Sequence, residues 1–103
     1  MSETKGFELL SATERASRCP ETFEIPDKGD RDSIQIGQVV KLIFDIAGGM
    51  TERMWVQVTD RLDGGRYSGK LANAPYSSTT LKPGDSLEFD PDNIIDIWNE
   101  GDS

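Results

Sequence analysis

The clearest pattern in the chain is an alternation of apolar and polar residues over residues 38–46 and again over residues 53–62. A period of two places successive side chains on opposite faces of a β-strand. The pattern therefore predicts two strands that each present one apolar face. The residues of that face are Val40, Leu42, Phe44 and Ile46 in the first strand and Met54, Val56 and Val58 in the second.

Three further strands follow from turn signals in the second half of the chain. Asp63-Gly64-Gly65 offers the positive-φ residues of a tight hairpin, which predicts a returning strand over residues 66–72. A Pro-Gly-Asp turn at residues 83–85 precedes a predicted strand over residues 86–89, and residues 94–98 form a predicted last short strand.

The hairpin has two candidate registers, and the charges that face each other across it distinguish them. A loop at residues 63–64 would set Arg61 opposite Arg66, and like charges in that position repel. A loop at residues 64–65 sets Asp63 opposite Arg66 instead, which is favourable. We therefore predict the second register.

This register decides which side chains share a face with Trp55. It sets Val58 opposite Leu71 and Leu62 opposite Tyr67, so that these apolar residues face one way. Trp55 then lies on the other face with polar and cationic side chains, namely Gln57, Thr59, Arg61, Arg66, Ser68 and Lys70.

The N-terminal part of the chain predicts one short helix. Ser11 and Glu14 have the spacing of a capping box, and Pro20 limits the helix to barely two turns. Residues 27–33 predict a polar loop. We expect an α+β fold with a small curved, mostly antiparallel sheet of about five strands, partly barrel-like, and this short N-terminal helix. Residues 1–103 are expected to form a single domain, with flexible ends at residues 1–10 and 99–103.

Several short motifs together resemble a family of small bacterial domains of unknown function. They are Glu52-Arg53-Met54-Trp55-Val56, then Tyr67 with Gly69-Lys70-Leu71 and Asn73-Ala74-Pro75, and finally Leu81-Lys82-Pro83-Gly84-Asp85 before Leu87 and Phe89. The similarity covers about residues 38–98. It implies a compact bacterial α+β domain, and related small domains are sometimes grouped with immunity proteins against toxins. It implies no catalytic residue.

Composition narrows the classes of function. The chain has no histidine, which removes Ser-His and Cys-His nucleophiles and imidazole metal ligands. Cys19 is the single cysteine and indicates a reducing compartment, and no apolar run reaches the length of a signal peptide or membrane span. We expect a non-catalytic protein of the bacterial cytoplasm with no cofactor, no metal site and no membrane partner.

The net charge of −8 is concentrated near one end of the chain. Residues 83–103 carry seven acidic and no basic side chains, whereas residues 34–82 carry six basic and four acidic ones. This balance disfavours nucleic acid. An acidic surface steers a protein toward basic partners, so we expect a protein-binding module, of the kind an inhibitor of a cationic toxin would need. The residues proposed for that surface are Asp85, Glu88, Asp90 and Asp92. A surface that only keeps the protein soluble is the alternative.

Trp55 is the centre of a second hypothesis. An aromatic side chain among the cations Arg53, Arg66 and Lys70 would suit a single-stranded nucleic acid or a small ligand. The alternative is that the helix, or an extended segment at residues 23–25, covers Trp55. An enzyme that uses carboxylate chemistry is the third hypothesis, for which two facing carboxylates in a deep pocket would be needed.

Overall fold

A computed structural model describes residues 7–18, 25–46, 51–73 and 82–98. The strands are β1 (Phe7–Leu9), β2 (Val39–Ile46), β3 (Thr51–Arg61), β4 (Tyr67–Leu71), β5 (Ser86–Phe89) and β6 (Ile94–Ile97). The helices are α1 (Ala12–Arg18) and α2 (Lys28–Arg31), and short 3₁₀ turns span Asp63–Gly65 and Pro91–Asn93.

The described strands form one antiparallel sheet that curls into a half-barrel. Its order is β1-β2-β3-β4-β5, and β6 pairs with β2 as well. β1 and β6 share one edge of β2, because β1 pairs with residues 44–46 and β6 pairs with residues 40–42. Both run antiparallel to β2, so they follow one another along that edge like two halves of a single strand. With the short helices, the fold is α+β as expected.

The main core fills the inside of the curl. The alternating residues of β2 and β3 that the sequence pattern assigned to an apolar face are all buried there, together with Tyr67, Leu71, Leu87, Phe89, Ile94 and Ile34. The Tyr67 hydroxyl donates to the carbonyl of Arg31 at 2.7 Å and accepts from the amide of Ile34 at 3.2 Å. Tyr67 thereby ties the segment after α2 to the sheet, because its hydroxyl satisfies two backbone groups in the interior.

A second, smaller apolar cluster lies on the other surface of the sheet, which we call the outer face. Ala12 of α1 packs there against Ile43 and Ile95, with Leu10 and Ile25 at the margin. The Ser11 hydroxyl accepts from the Glu14 amide at 3.1 Å, which confirms the predicted helix start. α1 therefore covers one part of the outer face.

The predicted register of the β3–β4 hairpin is wrong. Val58 pairs with Gly69, not with Leu71, and a bulge follows between Val58 and Asp60. The loop has three residues, Asp63–Gly65, closed by a 2.8 Å bond from the Leu62 amide to the Arg66 carbonyl. Asp63 is therefore inside the loop and does not face Arg66, and Leu62 does not pair with Tyr67.

Two physical reasons account for this register. A Cβ on Gly69 would lie 2.6 Å from the Gln57 carbonyl oxygen, so the strands approach closely where only glycine fits. The charge of Arg66 is balanced by β5 on its other side, so charge across the hairpin does not decide the pairing. Leu71 thus pairs with Val56, two residues before its predicted partner Val58. A shift of two residues leaves the faces of Trp55 and Lys70 unchanged.

Two elements were not predicted. The polar stretch at residues 27–33 contains the one-turn helix α2, which is held by the buried side chain of Arg31. Arg31 Nε donates to the Pro26 carbonyl at 2.9 Å. β1 lies within residues 1–10, which we expected to be a flexible end; residues 1–6 and 99–103 are outside the described residues. The described helices have seven and four residues, far below the ~20 that a membrane-spanning helix needs.

Candidate functional site

Three of the predicted site residues form one ion-pair cluster at the β4–β5 edge. Arg66 Nε lies 2.7 Å from Asp90 Oδ1, and Arg66 Nη1 lies 3.0 Å from Glu88 Oε1. The hydrogen bond to the Asp90 carboxylate, together with the negative charge of both partners, raises the pKa of the Arg66 guanidinium. The charges of these three side chains are therefore paired with one another within the protein.

The other two predicted acidic residues also have partners inside the protein. Asp92 Oδ1 lies 3.4 Å from the guanidinium of Arg31, whose side chain is only 8% exposed. Asp85 Oδ2 accepts from the Lys82 amide at 2.8 Å and so closes the turn before β5. Every acidic residue that we predicted as a contact for a basic partner thus has a role in holding β5 or the Pro91–Asn93 turn.

Trp55 is part of an aromatic group on the outer face that includes a second tryptophan. The rings of Trp55 and Trp98 meet edge to face, with centroids 5.4 Å apart and planes at 85°. Lys41 Nζ lies 4.7 Å from the centroid of the Trp55 ring, within cation–π range. Trp55 is half-buried, whereas Trp98 is 53% exposed. We call Trp55, Trp98 and Lys41 the tryptophan patch.

The sheet pairing explains why these three side chains meet. Lys41 pairs with Trp55 on one side and with Asp96 on the other. The Trp98 amide donates to the Val39 carbonyl at 2.8 Å, which fixes the end of β6 beside the start of β2. Trp98 therefore reaches Trp55 across the intervening strand and packs against its ring. The alternative was cover by α1 or by residues 23–25, of which residues 23 and 24 are outside the described residues.

The structure brings together only part of the predicted group of Trp55, Arg66 and Lys70. Lys70 is exposed and pairs with Gln57, which places it next to Trp55 along the outer face. The neighbour of Trp55 on β4 is Ala72, whose amide donates to the Trp55 carbonyl at 2.9 Å. Arg66 is six residues from Ala72, which corresponds to roughly 20 Å along a strand at ~3.3 Å per residue. Arg66 and Trp55 therefore cannot contact one small ligand.

Arg53 is also on the outer face, but toward the other end of the sheet. It pairs with Ile43, and its side chain is exposed. Ile43 itself is buried beneath α1. Arg53 thus borders the helix-covered part of the outer face, two residues before Trp55.

A polar cleft opens beside β6, with a volume of about 290 Å³. It lies between the segment that carries α2 and the edge of the sheet. The polar lining residues are Asp30, Ser33, Gln38 and Asp96, and the apolar ones are Pro26, Ile34 and Ile97. We call it the carboxylate cleft, after Asp30 and Asp96. Neither of these aspartates takes part in an ion pair within the described part of the chain.

The cleft and the tryptophan patch are neighbours. Ile97 lines the cleft and Trp98 is the next residue, so their Cα atoms are about 3.8 Å apart. Asp96 lines the cleft and pairs with Lys41 of the patch. The cleft and the patch are therefore adjacent along β6, with exposed aromatic area in the patch and two carboxylates in the cleft.

Four residues of this surface were not proposed as site residues from the sequence, namely Trp98, Lys41, Asp30 and Asp96. Trp98 had the strongest signal, because a tryptophan closed the last predicted strand within an acidic stretch. The pairing of β6 with β2 was the missing information. These strands are separated by almost half of the chain, and alternation alone does not predict partners at that distance.

Comparisons with known proteins give a family and nothing more specific. A family model described as an uncharacterised protein conserved in bacteria matches residues 10–100. That range contains the motifs on which the resemblance rested and extends it to α1. No curated protein and no solved structure matches the chain.

Proposed function

The chain belongs to the bacterial family DUF2314, and we propose that it is a non-catalytic binding module that contacts another protein through the tryptophan patch. The observation that carries the proposal is the position of Trp98. Its ring is 53% exposed and is held edge-on against Trp55. Tryptophan is among the residues most enriched in binding hot spots, and a ring held in place loses little entropy on binding.

The other large exposed apolar residue of the described chain helps to define what is special about Trp98. Ile36 is 62% exposed in a turn before β2. Single exposed aliphatic residues are ordinary on protein surfaces. Trp98 differs because a second aromatic ring, that of Trp55, lies against it and itself carries Lys41 over its face, which gives a partner a larger surface to pack on.

Charge supports a basic partner. The net charge of −8 favours encounter with positively charged proteins and disfavours polyanions. We propose the bacterial cytoplasm as the location, which the single cysteine Cys19 supports. Inhibition of a basic toxin, as the family resemblance implied, is the specific form of this function that we favour.

The experiment is a capture comparison between matched variants. Tagged wild type, Trp98→Ala and Ile36→Ala are incubated with lysate of a bacterium that encodes the protein, captured proteins are identified, and the purified partner is titrated. We expect Trp98→Ala to weaken binding at least about tenfold, as for a hot-spot residue, and Ile36→Ala to change it less than about twofold. Equal affinities for the wild type and Trp98→Ala would contradict the proposal.

Binding of a single-stranded nucleic acid at Trp55 remains the second candidate, because Lys41 lies over its ring and Lys70 pairs with Gln57, two residues along β3 on the same face. Stacked bases would quench tryptophan fluorescence. Quenching by an oligonucleotide, without capture of any protein, would favour this candidate over ours.

Asp30 and Asp96 are the carboxylates that an enzyme would have available in the cleft, but both are exposed and lack the burial on which general acids rely near neutral pH.

A further inference from the structure

We infer that the partner protein inserts an arginine side chain into the carboxylate cleft while it packs on Trp98. This inference rests on the proposed function, because it names the chemistry that the tryptophan patch and the cleft would recognise together. The cleft and the patch are joined at Ile97 and Trp98 and at Asp96 and Lys41, so one short segment of a partner can reach both.

The size of the cleft favours a single side chain. Its volume of about 290 Å³ lies at the lower end of the ~300–1,000 Å³ that small-molecule pockets enclose. It is also open at the surface between α2 and β6, where a side chain projecting from another protein has access.

The charge of the cleft favours a cation. Asp30 and Asp96 both line it; Asp96 Oδ1 accepts from the Ile97 amide at 2.9 Å, but neither aspartate has an ion-pair partner among the residues that the structure describes. Lys41 is opposite Asp96 in the sheet, but its ammonium group is placed over the Trp55 ring. Within the described ranges these two carboxylates therefore form no ion pair, unlike Glu88, Asp90 and Asp92.

An organic cation fits this site better than a metal ion. Ca²⁺ requires six to eight oxygen ligands. Within the described ranges, no group of three or more acidic, cysteine or histidine side chains is arranged to hold a metal. The apolar part of the lining, Pro26, Ile34 and Ile97, would instead contact the methylene groups of a long basic side chain.

Arginine suits the site better than lysine for two reasons. The planar guanidinium group binds carboxylates through paired hydrogen bonds, and it stacks on aromatic rings. Both kinds of contact are offered here, by Asp96 in the cleft and by Trp98 beside it. A lysine ammonium is a compact, strongly hydrated charge and would use only the carboxylates.

The test uses the two tryptophans of the chain, which both belong to the patch, as the reporter. Wild-type protein is titrated with three blocked hexapeptides that differ at one central residue, which is arginine, lysine or the neutral analogue citrulline. We expect the Kd obtained from the fluorescence titration to be at least about tenfold lower for the arginine peptide than for the citrulline peptide. Equal responses to arginine and citrulline would overturn the inference, and equal responses to arginine and lysine would overturn the choice of arginine.

Variants in which asparagine replaces one aspartate show where on the protein the arginine peptide binds. We expect Asp96→Asn and Asp30→Asn each to weaken the arginine peptide at least about fivefold. Asp45→Asn is the control, because Asp45 is exposed and is four residues along β2 from Lys41, the strand partner of Asp96, roughly 13 Å at ~3.3 Å per residue. A loss of the same size in the control would show a general charge effect and would overturn the cleft as the site.

The captured partner separates this inference from the proposed function. If Trp98→Ala releases the partner while Asp30→Asn and Asp96→Asn retain it at unchanged affinity, the inference is wrong and the binding module stands. If none of the three variants changes the affinity, both are wrong. Circular dichroism of each variant is compared with the wild type, so that a loss of binding is attributed to the site only in a folded protein.

Discussion

Replacement of Gly69 by alanine tests most directly how β3 and β4 pair. Gly69 is buried and lies opposite Val58. An added Cβ would lie 2.6 Å from the Gln57 carbonyl oxygen and 2.7 Å from Val56 Cγ1. The first contact is with backbone, which cannot rotate away as a side chain can, so the two strands must move apart.

The expected loss of stability follows from this overlap. Overpacking of a well-filled core by one methyl group costs roughly 1–3 kcal/mol. A domain of this size has a free energy of unfolding of about 5–15 kcal/mol, so the loss is a substantial fraction of the total. At about 4–8 °C per kcal/mol, Gly69→Ala is expected to lower Tm by about 4–24 °C.

Thermal unfolding followed by circular dichroism measures this change, and Gly29→Ala is the matched control. A Cβ on Gly29 meets no atom within 4 Å, and Gly29 lies in the helix α2. Alanine is favoured over glycine in a helix, so this variant is expected to be neutral or up to about 1 kcal/mol more stable. An unchanged Tm for Gly69→Ala would refute the close approach and with it the pairing of Val58 with Gly69.

Two further predictions concern hydrogen bonds and charge. Tyr67→Phe removes a buried hydroxyl that satisfies two backbone groups, so we expect a loss of about 1–3 kcal/mol in urea unfolding, and an unchanged midpoint would contradict that role. Glu88→Gln breaks one exposed ion pair of Arg66 and should cost less than about 1 kcal/mol, an effect that 1 M NaCl removes. Asp90 raises the pKa of Arg66, so the stability that comes from the Arg66 charge is present below that pKa and is lost only in strong alkali. The cost of Glu88→Gln should therefore not differ between about pH 7 and about pH 10.

Five of the six described strands were predictable because each has a local signal. Alternation identified β2 and β3, and glycine or proline turns bounded β4, β5 and β6. β1 has only three residues, which is too short for a periodic pattern to be distinguished from chance. α2 contains a glycine and an aspartate, which disfavour helix, and its Arg31 side chain is anchored by the nearby Pro26 carbonyl and by the distant Pro91 carbonyl.

The register and the site required knowledge of which strands are neighbours. The charge rule was applied to Arg66 across its own hairpin, whereas its partners are Glu88 on β5 and Asp90 directly after it. The same limit hid Trp98, which meets Trp55 only because β6 pairs with β2. The face of Trp55 was nevertheless predicted correctly, since before the bulge the register differs from the predicted one by two residues, which keeps each side chain on the same side.

The shared edge of β2 has a consequence for synthesis on the ribosome. β1 and β2 are made early, but β6, which completes that edge, is made about fifty residues after β2 ends. At ~5–20 residues per second, the nascent chain spends several seconds with half of this edge exposed. An unpaired edge is a template for pairing with other chains. Slower translation between residues 46 and 98 should therefore increase aggregation of the nascent protein, and a chaperone that shields β2 should suppress it.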